Sequence, residues 1–354
     1  MKDGGVNSFK IFPSASLIKI LNLKNILYMR QKIGLLIGGL CIISLASLAQ
    51  SPLKVILDTD IDSDVDDVGA VAMLHTLADH QVIEILGMIV TSDDKHAPSC
   101  TDALNHYFGR PDIPIGVEKG IKLSEFSKYT KQISAEFEHN LASYDDAEDA
   151  TGLYRRLLSM QPDSSVVIIS IGHLTNIRKL MESKPDQHSE LTGMELIQKK
   201  VKLWSCMGGT FPEGKEANFY RPDPESTRIA VKSWPGEVVF AGWEIGNSII
   251  TGADYLKKAI STKSPVWRAY QLYNNFAGRP SWDQASILYA ISPSGDYWDV
   301  NNEGFVRVEE DGSNKWVDGK ESNHGYLVEK MNPEEVAKVI DALMIGIYQP
   351  GFGE

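Results

Sequence analysis

The sequence predicts an α/β fold: a doubly wound, mostly parallel sheet flanked by helices, with a small β-hairpin excursion near the C-terminus. Three observations predict it. Short β-branched runs alternate with stretches of helical spacing from Lys54 to Trp243. Most of those runs are apolar almost throughout, as strands buried on both faces must be. The 354 residues, 43% apolar and 23% charged with 29 Gly and 16 Pro, exclude a disordered or low-complexity chain and suffice for a large core.

Residues 1–28 form an extension ahead of Met29, a candidate start. Arg30 and Lys32 precede the apolar run Ile33 to Leu48, and Ser47-Leu48-Ala49 closes it with a small-x-small pattern. Residues 29–49 are therefore expected to be a signal peptide, cleaved after Ala49 or Gln50. A transmembrane anchor is the competing reading, but the run is short for one and ends in a cleavage pattern. Leu40 ahead of Cys41 argues against a lipoprotein. Residues 1–49 hold six basic side chains and one acid, so their removal takes the formal charge from −12 to −17. The expectation is an acidic periplasmic or secreted protein, without nucleic-acid partners and without a membrane once the signal is removed. Three cysteines exclude a disulfide scaffold and a Cys-rich zinc or iron–sulfur site; Cys100 and Cys206 are expected buried and free.

Residues 50–354 read as one domain, with no linker and no internal repeat. Strands are expected at 54–58, 82–90, 113–117, 165–172, 201–209 and 237–242. Helical spacing falls at 66–79, 100–109, 147–160 and 223–234, and again at 264–276 and 282–291. Turn signals at 301–304 and 311–312 place the hairpin excursion within 298–330. Asn332, Pro333 and Glu335 supply a cap, a first-turn proline and a capping-box acid for a last helix reaching about Gln349.

The most informative segment runs from Asp58 to Asp67 and holds six acids in ten residues, between a core strand and a helix. In an open parallel sheet, ligands bind at the carboxyl ends of the strands. Acids crowded there are tolerable when solvated, protonated or bound to a cation. An oxygen-only donor set suits a hard cation. Asp60, Asp62 and Asp64 have the alternate spacing of an EF-hand, but Val65 stands where its Gly belongs and Val71 where its Glu belongs. Asp58 and Asp60 fit the Asp-x-Asp-x-Thr of haloacid-dehalogenase phosphatases, but Asp62 replaces the Thr.

The strand, Asp58-x-Asp60 and Asp66-Asp67 together resemble the signature of inosine–uridine preferring nucleoside hydrolases. Ile171-Gly172-His173-Leu174-Thr175-Asn176 resembles that family's Gly-Pro-Leu-Thr-Asn turn. Met207-Gly208-Gly209 with Glu216-Ala217-Asn218 resembles its Met-Gly-Gly and Glu-Phe-Asn pair, and Trp282-Asp283 sits where it has His-Asp. The four segments occur in order over about residues 53–291. The resemblance implies calcium-dependent hydrolysis of a ribonucleoside to ribose and free base, on a small-molecule substrate, in a chain that can form a homo-oligomer. By the same carry-over Asp60, Asp67, the Ile171 backbone carbonyl and Asp283 bind the cation, and Asp60 is also the general base on water. Asp66, Asn218 and Glu216 contact the ribose, Met207 lines the pocket, and Asp93 or Asp94 falls where the family has an Asn on the sugar. Read alone, Asn176 is a helix-start residue and Met207 a core residue.

The chain departs from the family at Trp282, which replaces the His that protonates the leaving base. An indole donates a hydrogen bond but is no acid at neutral pH, so its functional reading is stacking against a base and its structural reading is core packing. His324 is the first candidate acid, with His173, Tyr220 and Tyr273 as others. Ala217 in place of Phe opens the pocket toward a different substrate. The alternative function is a non-catalytic, calcium-dependent ribosyl- or carbohydrate-binding protein that has lost the leaving-group acid.

Overall fold

The computed structural model describes Met1 and residues 51–120, 122, 127–320 and 322–349; the expected signal peptide lies outside the described residues. In chain order the strands among them are β1 (Leu53–Thr59), β2 (Ile83–Val90), β3 (Ile115–Val117), β4 (Glu148–Asp149), β5 (Val166–Ser170), β6 (Val201–Met207), β7 (Glu213–Gly214), β8 (Val238–Ala241), β9 (Ile250–Thr251), β10 (Arg279–Pro280), β11 (Trp298–Asn301), β12 (Gly304–Val308), β13 (Asn314–Asp318) and β14 (His324–Glu329). Nine form one sheet in the order β11-β14-β8-β6-β5-β1-β2-β3-β4. Every pair in it is parallel except β11 with β14.

Alternation along the strands sends side chains to two apolar layers. Val55, Leu57, Val167 and Ile169 enter one, together with the helices Asp66–Asp79, Pro265–Asn274, Trp282–Ile291 and Pro333–Met344. Ile56, Val166 and Ile168 enter the other, with the helices Ala150–Ser159, Thr175–Glu182, Gly193–Lys200 and Pro224–Ser233. Val55, Ile56 and Leu57 are fully buried, each contributing about 1.5–3 kcal/mol relative to exposure. Cys100 and Cys206 are buried and free.

β1 is the switch point. The chain builds β2, β3 and β4 on one side of it, then crosses back to lay β5, β6 and β8 on the other. The connections leaving β1 and β5 therefore diverge and open a crevice at their carboxyl ends. Asp58 pairs with Ser170 in register, and Ile171 N–H donates to the Asp58 carbonyl at 2.7 Å, so the two segments expected to carry the site lie side by side.

The 298–330 region is more than a hairpin excursion. β11 and β14 extend the main sheet, while β12 and β13 pair with β7 in a three-stranded sheet. That pairing joins segments 100 residues apart, which no local turn signal reports. The last helix ends at Met344 rather than Gln349, because Gly346 adopts φ +90° and Ile347 N–H closes the end on the Ala342 carbonyl at 2.9 Å. The helix Gly193–Lys200 carries a capping box between Thr192 and Glu195, a signal present in the sequence. No helix among the described residues is long and apolar enough to cross a membrane.

Candidate active site

The loop after β1 is built by short-range bonds. Thr59 Oγ1 accepts from Ile61 N at 3.2 Å and donates to Asp67, and Asp64 Oδ1 accepts from Val65 N at 2.7 Å. Asp66 and Asp67 then open the helix Asp66–Asp79, and Asp283 lies in the first turn of Trp282–Ile291. Acids in a first turn face the positive end of the helix dipole. The two helices meet closely at Gly69, where a Cβ would fall 2.5 Å from Gln284 Nε2. This approach brings Asp66, Asp67 and Asp283 together, with carboxylate oxygens all within 4.8 Å of one another.

The three are buried, and their pKa values lie well above the ordinary 3.8. Burial is the largest cause for each. Next come the charge of Asp64 on Asp66, of Asp60 on Asp67, and of Asp66 on Asp283. Three carboxylates out of water and facing one another are the donor set a hard divalent cation neutralises, so the residues fit a metal ion of that kind.

Asp60 lines the same cavity but is not one of the three: His173 Nε2 lies 3.2 Å from its Oδ2. His173 is buried, and desolvation lowers its pKa to about 3. Gly172 makes the approach feasible, since a Cβ there would sit 2.6 Å from Asp60 N. On the other wall, Glu216 accepts from Asn218 N at 2.9 Å and Gly209 N at 3.1 Å, and burial pushes its pKa up to about 7. Asn218 Nδ2 donates to the Ile171 carbonyl at 3.1 Å and lies 3.2 Å from Met207 Sδ. One cavity of about 320 Å³ thus gathers Asp60, Asp66, Asp67, Ile171, Met207, Glu216, Asn218, Trp282 and Asp283. Its volume suits a small ligand.

Three expected site residues are not brought to this cavity. His324 begins β14, paired with Val238 at the start of β8, so it occupies the amino edge of the parallel sheet while the cavity occupies the carboxyl edge. Its Nδ1 accepts from Val306 N at 3.2 Å, and burial lowers its pKa to about 4. Asp94 is spent on the turn into the helix Ala97–Tyr107, accepting from His96 N at 2.8 Å and from Thr130 Oγ1. Asp93 is exposed on that turn. Among the other acid candidates, Tyr220 lines the cavity and Tyr273 packs under Arg279. Asn176 neither caps nor faces the cavity; its Nδ2 donates to Asp58 Oδ1 at 3.1 Å.

Sequence reasoning missed Trp243, Arg279 and Asp64 as cavity residues. Trp243 follows β8, and the rule that ligands gather beyond strand ends points to it. Arg279 carried no signal, because its partner Asp64 is 215 residues away. Trp282 is half-buried, and its Nε1 donates to the Trp243 carbonyl at 3.0 Å.

In fold, the chain is similar to a plant nucleoside hydrolase, the PpNRh1 enzyme, at 18% identity and TM-score 0.60, covering 83% of this chain and 99% of that one. It is similar to an inosine-uridine preferring nucleoside hydrolase from Bacillus anthracis at 16% identity and TM-score 0.63, covering 83% and 100%. It is also similar to the type III effector protein XopQ complexed with adenosine diphosphate ribose, at 14% identity and TM-score 0.60, covering 84% and 94%. No curated protein matches in sequence. The family model described as inosine-uridine preferring nucleoside hydrolase matches residues 55–342, which include both helices that carry the buried carboxylates, and the chain belongs to that family.

Proposed function

We propose that the protein hydrolyses the N-glycosidic bond of a ribonucleoside in a calcium-dependent reaction, releasing ribose and the free base. The observation that carries this reading is the trio Asp66, Asp67 and Asp283 at the switch point, facing a wall of Glu216 and Asn218 across one cavity. Asp67, Asp283 and the Ile171 carbonyl would hold the cation, with Asp60 completing the shell and Asp66 shared with the ribose 2-hydroxyl. The cation, when bound, supplies Lewis acidity that makes water a nucleophile near neutral pH. Asp60 takes the proton from the attacking water, with His173 Nε2 3.2 Å from its Oδ2. Glu216, fixed by two backbone N–H groups, and Asn218 orient the sugar. The ring of carboxylates favours the positive charge that develops on the ribosyl carbon. Trp282 offers a ring face to the base, since its N–H is already bonded.

The test is incubation of the calcium-loaded protein with purine and pyrimidine nucleosides, following reducing sugar, with chelator and Asp60→Asn controls. Chelator-sensitive ribose release, lost in Asp60→Asn, is expected. A second reading is a ribosyl-binding protein without turnover. The bonded indole of Trp282 in place of an acid favours it, as does the fold shared with an effector complexed with adenosine diphosphate ribose. Calcium-dependent ligand binding with no base released from any nucleoside would select that reading.

A further inference from the structure

Besides its carboxylates, the cavity is lined by the cationic or phenolic side chains of Lys215, Tyr220, Arg221 and Arg279. Arg279 lines it beside Trp282, with the guanidinium carbon 4.8 Å from the centroid of that ring and 5.5 Å from that of Tyr273. Asp64 binds one edge of the fork, accepting from Nε at 2.7 Å and from Nη2, so Nη1 is the nitrogen outside that pair. β10, which carries Arg279, is pinned to β9. With Asp64 on one edge, the guanidinium lies against the Trp282 ring, and its charge also reaches Asp66. That layout matches a transition state with a positive ribosyl group and a base gaining electrons.

We propose that Arg279 is the leaving-group residue of this site, donating from Nη1 to the base nitrogen as the glycosidic bond breaks. The inference rests on the hydrolytic reading above. The C–N bond breaks with its electron pair staying on the base. The water oxygen bonds to the ribosyl carbon, and one water proton passes to Asp60. The departed base takes a proton from solvent, because a guanidinium stays protonated and stabilises charge without transferring a proton.

The experiment compares wild type, Arg279→Gln and Arg279→Lys, all calcium-loaded, on a nucleoside and on 4-nitrophenyl β-D-riboside. The nitrophenolate leaves as a stable anion and needs no help. Arg279→Gln is expected to lower kcat on the nucleoside about 10²-fold, the scale of losing one preorganised donor, and to leave the nitrophenyl riboside nearly unchanged. Arg279→Lys is expected to recover part of the nucleoside rate, and it serves as the folded comparator if the Gln variant melts early. Equal losses on both substrates would overturn the inference and make Arg279 a support for the Asp64 loop. Undiminished nucleoside turnover in Arg279→Gln would overturn it as well. Wild type inactive on both substrates would overturn the hydrolytic reading itself.

Discussion

Asp58 and the trio Asp66, Asp67 and Asp283 are buried aspartates at the same end of the same sheet, and they are solvated differently. Asp58 accepts from Thr91 Oγ1 at 2.8 Å, Tyr154 OH at 2.8 Å and Asn176 Nδ2 at 3.1 Å, all uncharged donors belonging to neighbouring elements. Burial raises its pKa to about 7, and those donors hold it down from further rise. In the trio the principal neighbours are other carboxylates, so their charges add to the effect of burial instead of opposing it. The first pocket is a finished polar anchor tying β1 to the helices around it. The second is complete only with a positive charge. A buried acid signals a ligand when its partners repel it, not when it is merely buried.

The comparison breaks most readily at Asp60. Asp60→Asn should lower ribose release at least about 10³-fold with unchanged circular dichroism, the scale of a lost general base that also binds the cation. Full activity would remove Asp60 from the chemistry. Gly172→Ala comes next, because its methyl would press on the Asp60 backbone. A displacement near 1 Å should cost about 10²-fold in kcat with a smaller change in KM.

Chelation sharpens the contrast through pH. The trio and Asp58 titrate above their ordinary 3.8, so the metal-free folded state binds more protons than the unfolded chain. Their stability contribution is full below pH 3.8 and is lost as pH rises through the folded values, about 7 for Asp58. Buried His75, His173 and His324, with lowered pKa values, act in the opposite sense below 6.5. The window free of the histidines therefore opens at about pH 6.5 and spans the Asp58 value of about 7. There the Tm of chelated protein should fall with pH, and the increase produced by calcium should grow. A calcium effect that shrinks as pH rises there would count against a carboxylate site.

Asp58→Asn should destabilise by about 1–3 kcal/mol in urea unfolding, since one donor loses its acceptor, while calcium affinity persists. Lost calcium binding would merge the two pockets into one. The smallest effect is expected at His324→Gln, with unchanged turnover, because that ring lies at the opposite edge of the sheet.

Much of this was legible locally. The acid run Asp58–Asp67 stands out because six acids fall within ten residues at a strand end, and the helices Asp66–Asp79 and Trp282–Ile291 occupy the residues that helical spacing assigns them. The roles of His324, Asp93 and Asp94 were not legible. Which sheet edge His324 occupies depends on β14 running parallel to β8, and whether Asp94 faces the cavity depends on a turn that consumes its oxygens.

By itself the sequence determined the alternation of strand and helix, the buried parallel sheet and the acidic loop, because period, composition and contiguity act over neighbouring residues. Tertiary structure alone decided that Asp283 meets Asp66 and Asp67 across a glycine-thin helix contact, that Asp64 steers Arg279 from 215 residues away, and that Trp282 spends its N–H on Trp243. Those pairings are set by how helices and strand ends pack, and packing between distant segments leaves no period in the chain.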